Sequence, residues 1–555
     1  MQFLESNRLF KRVLGIVLSA LILTGMIGEY AAAVSVDRGA WHDTESGLSQ
    51  FFPVVTRADG FSAPAGMCDG NPGKNTGVLT KQDGAWAAFR INPPQTRGTV
   101  TTVLSEMVLR VYTPSELVIE VSRDGAEWKP VAKTRCNGKG DVPHVVTFAP
   151  IAADWVRVVK KSDGWLSIGE IDFWGTCEQD AEASRFNRPG TFVTRERLDL
   201  LKQRLATGTH PRDFTLAQLQ SLYPPKPYRS KAIKHVRLIG GTPASERFGQ
   251  QEMKADAEAA YTHALMWYCT GDAVYAENVV RIVKAWPQLD TDFNEGAQIE
   301  LSTGSFCGVT VAADILRGCG YEGMTDDIVG DYVAWFERRL LPSVELKRLD
   351  VYHNIKMYRM RNVLAYSVLA ENRYQFNRYV AQLVRLMSLP TESAATGEIR
   401  ETCGDMNHYS MAVAATLGCA EIAWNQGCDS LYGLSLPTDA AGPFKYRLAA
   451  IFDYYAEILN AGQQVQPYPD NISRRRWDGV LIFQTGHKPV VGDGGKGIFC
   501  SNFGHELAYN HYVNIKGVSL PELEKRIRFY RTEKHLDLYK HNSGLWGLTH
   551  ADIDD

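Results

Sequence analysis

Residues 254–286 read KADAEAAYTHALMWYCTGDAVYAENVVRIVKAW, and their periodicity decides the fold of the larger part of the chain. Ala257, Tyr261, Leu265 and Tyr268 recur at helical spacing, and the pattern stops at Thr270-Gly271. Asp272 is placed to cap a second helix over 273–286, with Val279, Ile282 and Val283 as its apolar stripe. So short a link forces the two helices antiparallel. The unit is a helix hairpin.

Working outward, the same pattern recurs over 306–317, 325–341, 354–371, 374–387, 408–425 and 443–459. An array of hairpins this long predicts an all-α barrel or toroid of paired helices, with loops at one end forming a groove. The Gly-rich stretch after Asn471 is expected to pack over that groove rather than add helix pairs. Upstream, Thr194 is a candidate N-cap for a helix with Leu198, Leu201 and Leu205 on one stripe.

The N-terminal texture is different. Segments 107–112, 117–122, 145–148 and 155–159 alternate apolar and polar residues between Gly, Asn, Asp and Pro breaks, which reads as a β-sandwich. A tight Asp124-Gly125 turn leads to Trp128, expected to cap the core, and 166–175 is the closing strand. At 555 residues the chain needs more than one folded unit.

Arg8, Lys11 and Arg12 precede an apolar run over 13–27 and then Ala31-Ala32-Ala33, the pattern of a secretory signal peptide; a membrane anchor is the alternative. No later run is long enough to span a bilayer. The expected organisation is a signal peptide (1–33), a β-sandwich (34–177), a linker (178–187) and the helical domain (188–555). A formal net charge of −3 gives no whole-chain reason to expect a nucleic acid partner. Ten cysteines are spread thinly and make no metal spacing.

Three polar clusters interrupt the helical pattern. Residues 397–427 read GEIRETCGDMNHYSMAVAATLGCAEIAWNQG, in which Glu398, Arg400, Glu401, Asp405, His408 and Tyr409 crowd the mouth of an apolar helix. Charges there are costly unless they pair or do chemistry. A second cluster holds His353, Asn354, Tyr358 and Arg361, the last three on one helix face at i, i+4 and i+7, either a wet groove or a solvent face. The third, 503–521, carries Glu506, Tyr509, Asn510, His511 and Tyr512, which read as substrate contacts or as a polar edge strand.

The chain has no HExxH, no CxxC, no GxSxG elbow and no phosphate-binding loop. Asn, His, Tyr and Arg without a metal motif fit elimination from a uronic acid. One group neutralises the carboxylate, a base takes the C5 proton, and an acid protonates O4 as it leaves. A glycoside hydrolase using Glu401 and Asp405 is the runner-up, since it needs two carboxylates across a cleft. A non-catalytic surface glycan-binding protein is the third reading.

Two resemblances carry these expectations further. Asp69-Gly-Asn71, Trp86, residues 122–128 and residues 166–175 resemble the discoidin, or coagulation factor V/VIII type C, domain. That implies a jelly roll whose loops bind sugars, and a structural calcium for which Asp69 and Glu170 are candidates by position. Arg188-Pro-Gly190, residues 267–286, 397–427 and 506–517 resemble the alginate lyase family of polysaccharide lyases, in its secreted bacterial branch of alginate and glucuronan lyases. That implies an (α/α) toroid, secretion or a periplasmic location, an acidic polysaccharide partner and no catalytic cofactor. It implies Asn354 as the neutralising residue, His408 and Tyr409 as proton-transfer groups and His353 as a helper. The family's Arg-Asp-Gln-Gly-His phrase reads Gly404-Asp-Met-Asn-His408 here, so Arg400, one turn earlier, is the candidate cation. Tyr358, Arg361, Glu506, Tyr509 and His511 would hold substrate or orient those groups.

Overall fold

A computed structural model describes residues 42–43, 48–51, 53–61, 67–68, 78–92, 100–180, 185–237, 248–293, 297–344, 354–388, 406–435, 445–461, 504–532 and 545–552. The chain divides into two compact units, Met1–Asp180 and Ala181–Asp555.

The first unit is an antiparallel β-sandwich. One sheet runs β1 (His42–Asp43), β2 (Leu48–Phe51), β11 (Leu166–Gln179), β6 (Val100–Val111) and β9 (His144–Ala152), with β4 (Val78–Thr80) paired to the start of β11. The other runs β3 (Val55–Asp59), β5 (Trp86–Arg90), β10 (Trp155–Lys160), β7 (Pro114–Ser122) and β8 (Lys129–Asn137). Leu117, Ile119 and Val121 alternate inward on β7, as do Met107 and Leu109 on β6. Phe89 and Phe173 meet with ring centroids 5.3 Å apart. At the Asp124-Gly125 turn, Ser122 Oγ accepts the Gly125 amide at 2.9 Å, and Gly125 adopts φ +77°. A Cβ at Gly125 would stand 3.0 Å from the Trp155 indole, so the turn lies directly on that ring. Trp128, expected to cap the core, lies instead 4.3 Å from the Arg157 guanidinium, and Trp155 is buried beneath the turn on that same outer face of the sheet.

The second unit is helical. Thr194 caps α1 (Arg195–Thr207), and Thr215 with Gln218 forms a capping box on α2 (Leu216–Leu222). The hairpin of 254–286 is α3 (Gln250–Thr270) and α4 (Ala273–Gln288), joined by Gly271 at φ +74° and the N-cap Asp272. There follow α5 (Ala297–Gly318) and α6 (Asp326–Trp335), which continues through a π turn into α7 (Leu341–Val344). Next come α8 (Asn354–Leu369), α9 (Arg373–Met387), α10 (Met406–Asn425) and α11 (Arg447–Ala461). The tail forms α12 (His505–Tyr509), a π turn over Asn510–Ile515, α13 (Pro521–Thr532) and α14 (Trp546–Thr549). A short parallel pair, β12 (His235–Val236) and β13 (Asp292–Phe293), is the one sheet described in this unit.

Helix neighbours close a ring: α3, α5, α8, α10, α11, α12, α14, α1 and back to α3. Hairpin partners α4 and α9 pack against α3 and α8, and α6 packs on α4 and α8. The fold is an (α/α) toroid. Of the stretch after Asn471, the Gly-rich part through 503 lies outside the described residues; in the remainder α13 packs on α11, burying Leu523 and Ile527. Asp453 of α11 accepts the Glu522 and Leu523 amides at 3.0 Å and so caps the new helix. The span 505–515, read as a polar edge strand or a substrate contact, is helical.

One strap sets the direction of the ring. Arg188 donates to the Val368 and Leu369 carbonyls ending α8, at 2.8 and 3.0 Å. Asn187 and Gly190 bond Asn425 and Gln426 ending α10. Arg195 donates to Gly318 O, ending α5. At the C-terminal turn of α3, Trp267 packs edge-on to Tyr321, just beyond α5. The inner helices α3, α5, α8 and α10 therefore end together and start together at the opposite end.

Asp314 of α5, wholly buried, clamps the strap by accepting from Gly190 N, Thr191 N and Thr191 Oγ1 at 2.9–3.0 Å. Asp314→Ala strands these donors without access to water. It is expected to cost on the order of 3 kcal/mol and to lower the melting midpoint of the helical unit by several degrees. An unchanged midpoint by calorimetry would show that the strap does not hold the ring together.

Candidate active site

Asn354 is the first residue of α8, fully buried, with Nδ2 4.0 Å from Sδ of Met411 on α10. Farther along, Arg361 presses its Cδ against α10 where a Cβ at Gly418 would stand only 2.8 Å away. Glycine inside this apolar helix thus makes room for an arginine stem. The pairs 354/411 and 361/418 have the same separation, 57 residues, so α8 and α10 run parallel and in register.

Tyr358 and Arg361 share the buried face of α8 with Asn354. The Arg361 guanidinium carbon is 4.9 Å from the Tyr358 ring centroid and 5.5 Å from that of Phe192. That face, read as a wet groove or a solvent face, is an interior one. Positions 408 and 409 lie in the first turn of α10. His408 precedes Met411 by three positions, which is one turn on the same helix face. His353, Arg400, Glu401, Asp405 and Asp69 lie outside the described residues.

The third cluster is internal. Glu506 has no exposed surface; Arg531 donates to it at 3.2 Å and Arg212 stands 4.0 Å away. Tyr509 lies 5.2 Å beneath the Arg531 guanidinium. Asn510 accepts from Arg197 at 2.7 Å and donates to Asp552. His511 stacks on Tyr432 with ring centroids 3.5 Å apart, and burial pushes its pKa down to about 4. Of the two roles expected for Glu506, Tyr509 and His511, holding substrate or orienting other groups, their burial and internal partners fit the second.

A buried Tyr432–Glu421–His550–Thr549 chain emerges only in three dimensions. Tyr432 donates to Glu421 at 2.9 Å, and His550 Nε2 meets the same carboxylate at 3.3 Å. Burial alone would raise the Glu421 pKa; the bonds from His550 and Tyr432 outweigh it and leave the carboxyl below its usual range. Glu421 lies near the strap end of α10, away from Asn354. Its work is structural.

Of the two calcium candidates, Glu170 is buried on β11 opposite Arg110. Among the described residues no group of three or more His, Cys, Asp or Glu could hold a metal ion. Trp165, at the β10–β11 connection, is 57% exposed. No periodicity marked this residue, because a loop tip has none.

Residues 202–441 match the family model described as alginate lyase. No curated protein matches the chain. Among solved structures, alginate lyase A1-III from Sphingomonas species A1 is 13% identical, over 61% of this chain and 91% of that one, with a TM-score of 0.42. The CBM32 of AlyQ, solved in complex with 4,5-unsaturated mannuronic acid, is 20% identical over 22% of this chain and 96% of its own, with a TM-score of 0.20. A truncated AlyQ with CBM32 and alginate lyase domains is 18% identical, over 27% of this chain and 38% of that one, with a TM-score of 0.20. The helical unit thus carries, from residue 202 to residue 441, the signature of the alginate lyase family.

Proposed function

We propose that this chain is an exported polysaccharide lyase that cleaves a uronic-acid polymer of the alginate or glucuronan type by β-elimination. The observation that carries the reading is the parallel, in-register packing of α8 on α10, which sets Asn354 against Met411, one turn from His408. Four inner helices begin at that end, and each N-terminus contributes roughly half a positive charge. Such an end favours a polyanion.

In this mechanism the Asn354 amide, aided by Arg400 or His353, donates to the uronate carboxylate and stabilises the charge that builds there. Tyr409 and His408 share the proton transfers. As the C5–H bond breaks, its electron pair forms the C4–C5 double bond; the C4–O4 bond breaks, and O4 takes a proton. The products are an unsaturated uronosyl end and a free 4-hydroxyl. Incubating the full chain with alginate, glucuronan and a neutral glucan tests the class. Ultraviolet absorbance of the conjugated double bond should rise with a uronan alone. Reducing ends released without that absorbance would mean hydrolysis and overturn the proposal.

The sandwich is assigned to glycan capture, with Trp165 as a stacking surface for a pyranose ring. Trp165→Ala should weaken binding of the full chain to polymer about tenfold, at ~1–2 kcal/mol for one lost aromatic contact. Turnover of short oligosaccharides should be unchanged. Equal polymer binding by the variant would remove Trp165 from the reading.

A further inference from the structure

The outer face of the β3-β5-β10-β7-β8 sheet has a composition that a solvent face does not require. Trp86, Arg157 and Trp128 form one stack, with the Arg157 guanidinium carbon 5.6 Å from the Trp86 ring centroid and 4.3 Å from that of Trp128. Glu120 holds Arg157 from the neighbouring strand, accepting from its Nε at 2.7 Å. Arg57, exposed on the edge strand β3, lies 4.5 Å over Trp155, which Arg90 approaches to 5.8 Å. In the cross-strand register Arg157, Ala88 and Arg57 form one row, so the two arginines are two strand spacings apart, about 10 Å. Arg57 and Arg90 make no ion pair with a carboxylate among the described residues; Arg90 Nε donates to the Asn92 carbonyl.

We propose that this face is a second carbohydrate-binding site, a platform on which an acidic polysaccharide chain lies across the strands, separate from the loop bearing Trp165. Guanidinium groups held close to indoles lose little freedom when they bind a carboxylate; Arg57 can grip one through two parallel hydrogen bonds, while Arg157, already on Glu120 through Nε and Nη2, offers only its remaining N–H groups. Half-exposed Trp86 and Trp128 offer apolar ring faces beside those cations. Cation and flat apolar surface together match a uronate, which has a carboxylate on a pyranose ring; a neutral glycan would leave the arginines idle. A span of about 10 Å between Arg57 and Arg157 lets a single chain meet both. The ligand class rests on the uronan reading above.

The test uses the full chain carrying Asn354→Ala, run in native gels containing soluble alginate, dextran or double-stranded DNA. Alginate should retard it, and dextran and DNA should not. Arg57→Glu and Trp86→Ala should each weaken the alginate retardation about fivefold or more, and Arg57→Lys should retain most of it. Trp165→Ala should add its own loss to that of Arg57→Glu. Near-ultraviolet circular dichroism of each variant shows whether the sandwich remains folded, and Arg57, exposed on an edge strand, is the substitution least able to disturb it. Unchanged retardation in both Arg57→Glu and Trp86→Ala would overturn the platform, as would equal retardation by DNA, which would mark a general polyanion surface. Double-bond formation by the chain with Asn354 intact is read separately. A failed platform with active enzyme leaves the lyase reading standing, and an inactive chain that still binds alginate through Arg57 does the reverse.

Discussion

Asn354→Ala is expected to lower kcat on the preferred uronan by a factor of about 100 to 1,000, the range for losing one preorganised donor to a developing anion. The charge that builds during C5 deprotonation sits on the substrate carboxylate. An amide fixed at the first residue of α8 would be worth far more to that state than to the ground state. The variant should therefore lose kcat more than KM changes. Asn354→Asp is the sharper companion, since it puts a negative charge where one must be stabilised and should be at least as impaired as the alanine variant. Steady-state rates on purified variants, with a melting curve for each, decide the matter. Activity within a few-fold of the parent in the well-folded alanine variant would remove Asn354 from the chemistry. The same loss in kcat is expected of His408→Ala.

The 254–286 hairpin declared itself because Gly271 and Asp272 stop one helix and cap the next through local rules. The sandwich strands were readable for the same reason, a period of two broken by turn residues. Hidden were interactions between residues far apart in sequence. The phrases around Arg188-Pro-Gly190 and Asn425-Gln426 carried much of the family resemblance, yet in the fold they bond to each other at the strap end, away from Asn354. Gly418 leaves room on α10 for the Arg361 stem, a contact between residues 57 apart in sequence. Glu506 and His511 looked available because polar residues read as surface; their partners, Arg531 and Tyr432, come from 25 residues later and from the loop after α10. Local propensity carries no information about such pairings. Clusters of ionisable residues in a sequence mark expensive sites, and burial with a partner is the other way of meeting the expense.

Those buried groups predict how the helical unit responds to acid. Burial pushes His210, His263 and His511 from an ordinary 6.5 down to about 4, and His505 and His550 move in the same direction for the same leading reason. Their folded-state values lie below the unfolded value, so between 6.5 and about 4 the unfolded chain binds protons that the folded chain refuses. Stability from burying neutral imidazoles is then complete above pH 6.5 and drains away as pH falls toward 4. A displacement from 6.5 to about 4 corresponds to at most about 3 kcal/mol for each histidine, so three together rival the whole stability of an ordinary domain. Asp552, held below its usual range by Arg197 and Arg204 despite its burial, begins to contribute losses only at lower pH. In the sandwich, His144 is the one buried histidine among residues whose side chains are described. Acidification should therefore melt the helical unit first, with the helix signal in far-ultraviolet circular dichroism collapsing between pH 6 and about 4 while the sandwich persists. His511→Phe keeps a ring on Tyr432 and removes a proton acceptor neither of whose nitrogens has a hydrogen-bond partner among the described residues. It should shift the acid midpoint downward, because the folded state then no longer loses that contribution as the unfolded chain protonates. A helix signal constant down to pH 4, or an acid midpoint unmoved by His511→Phe, would mean that buried imidazoles do not set the limit, and attention would pass to the carboxylates around Asp552.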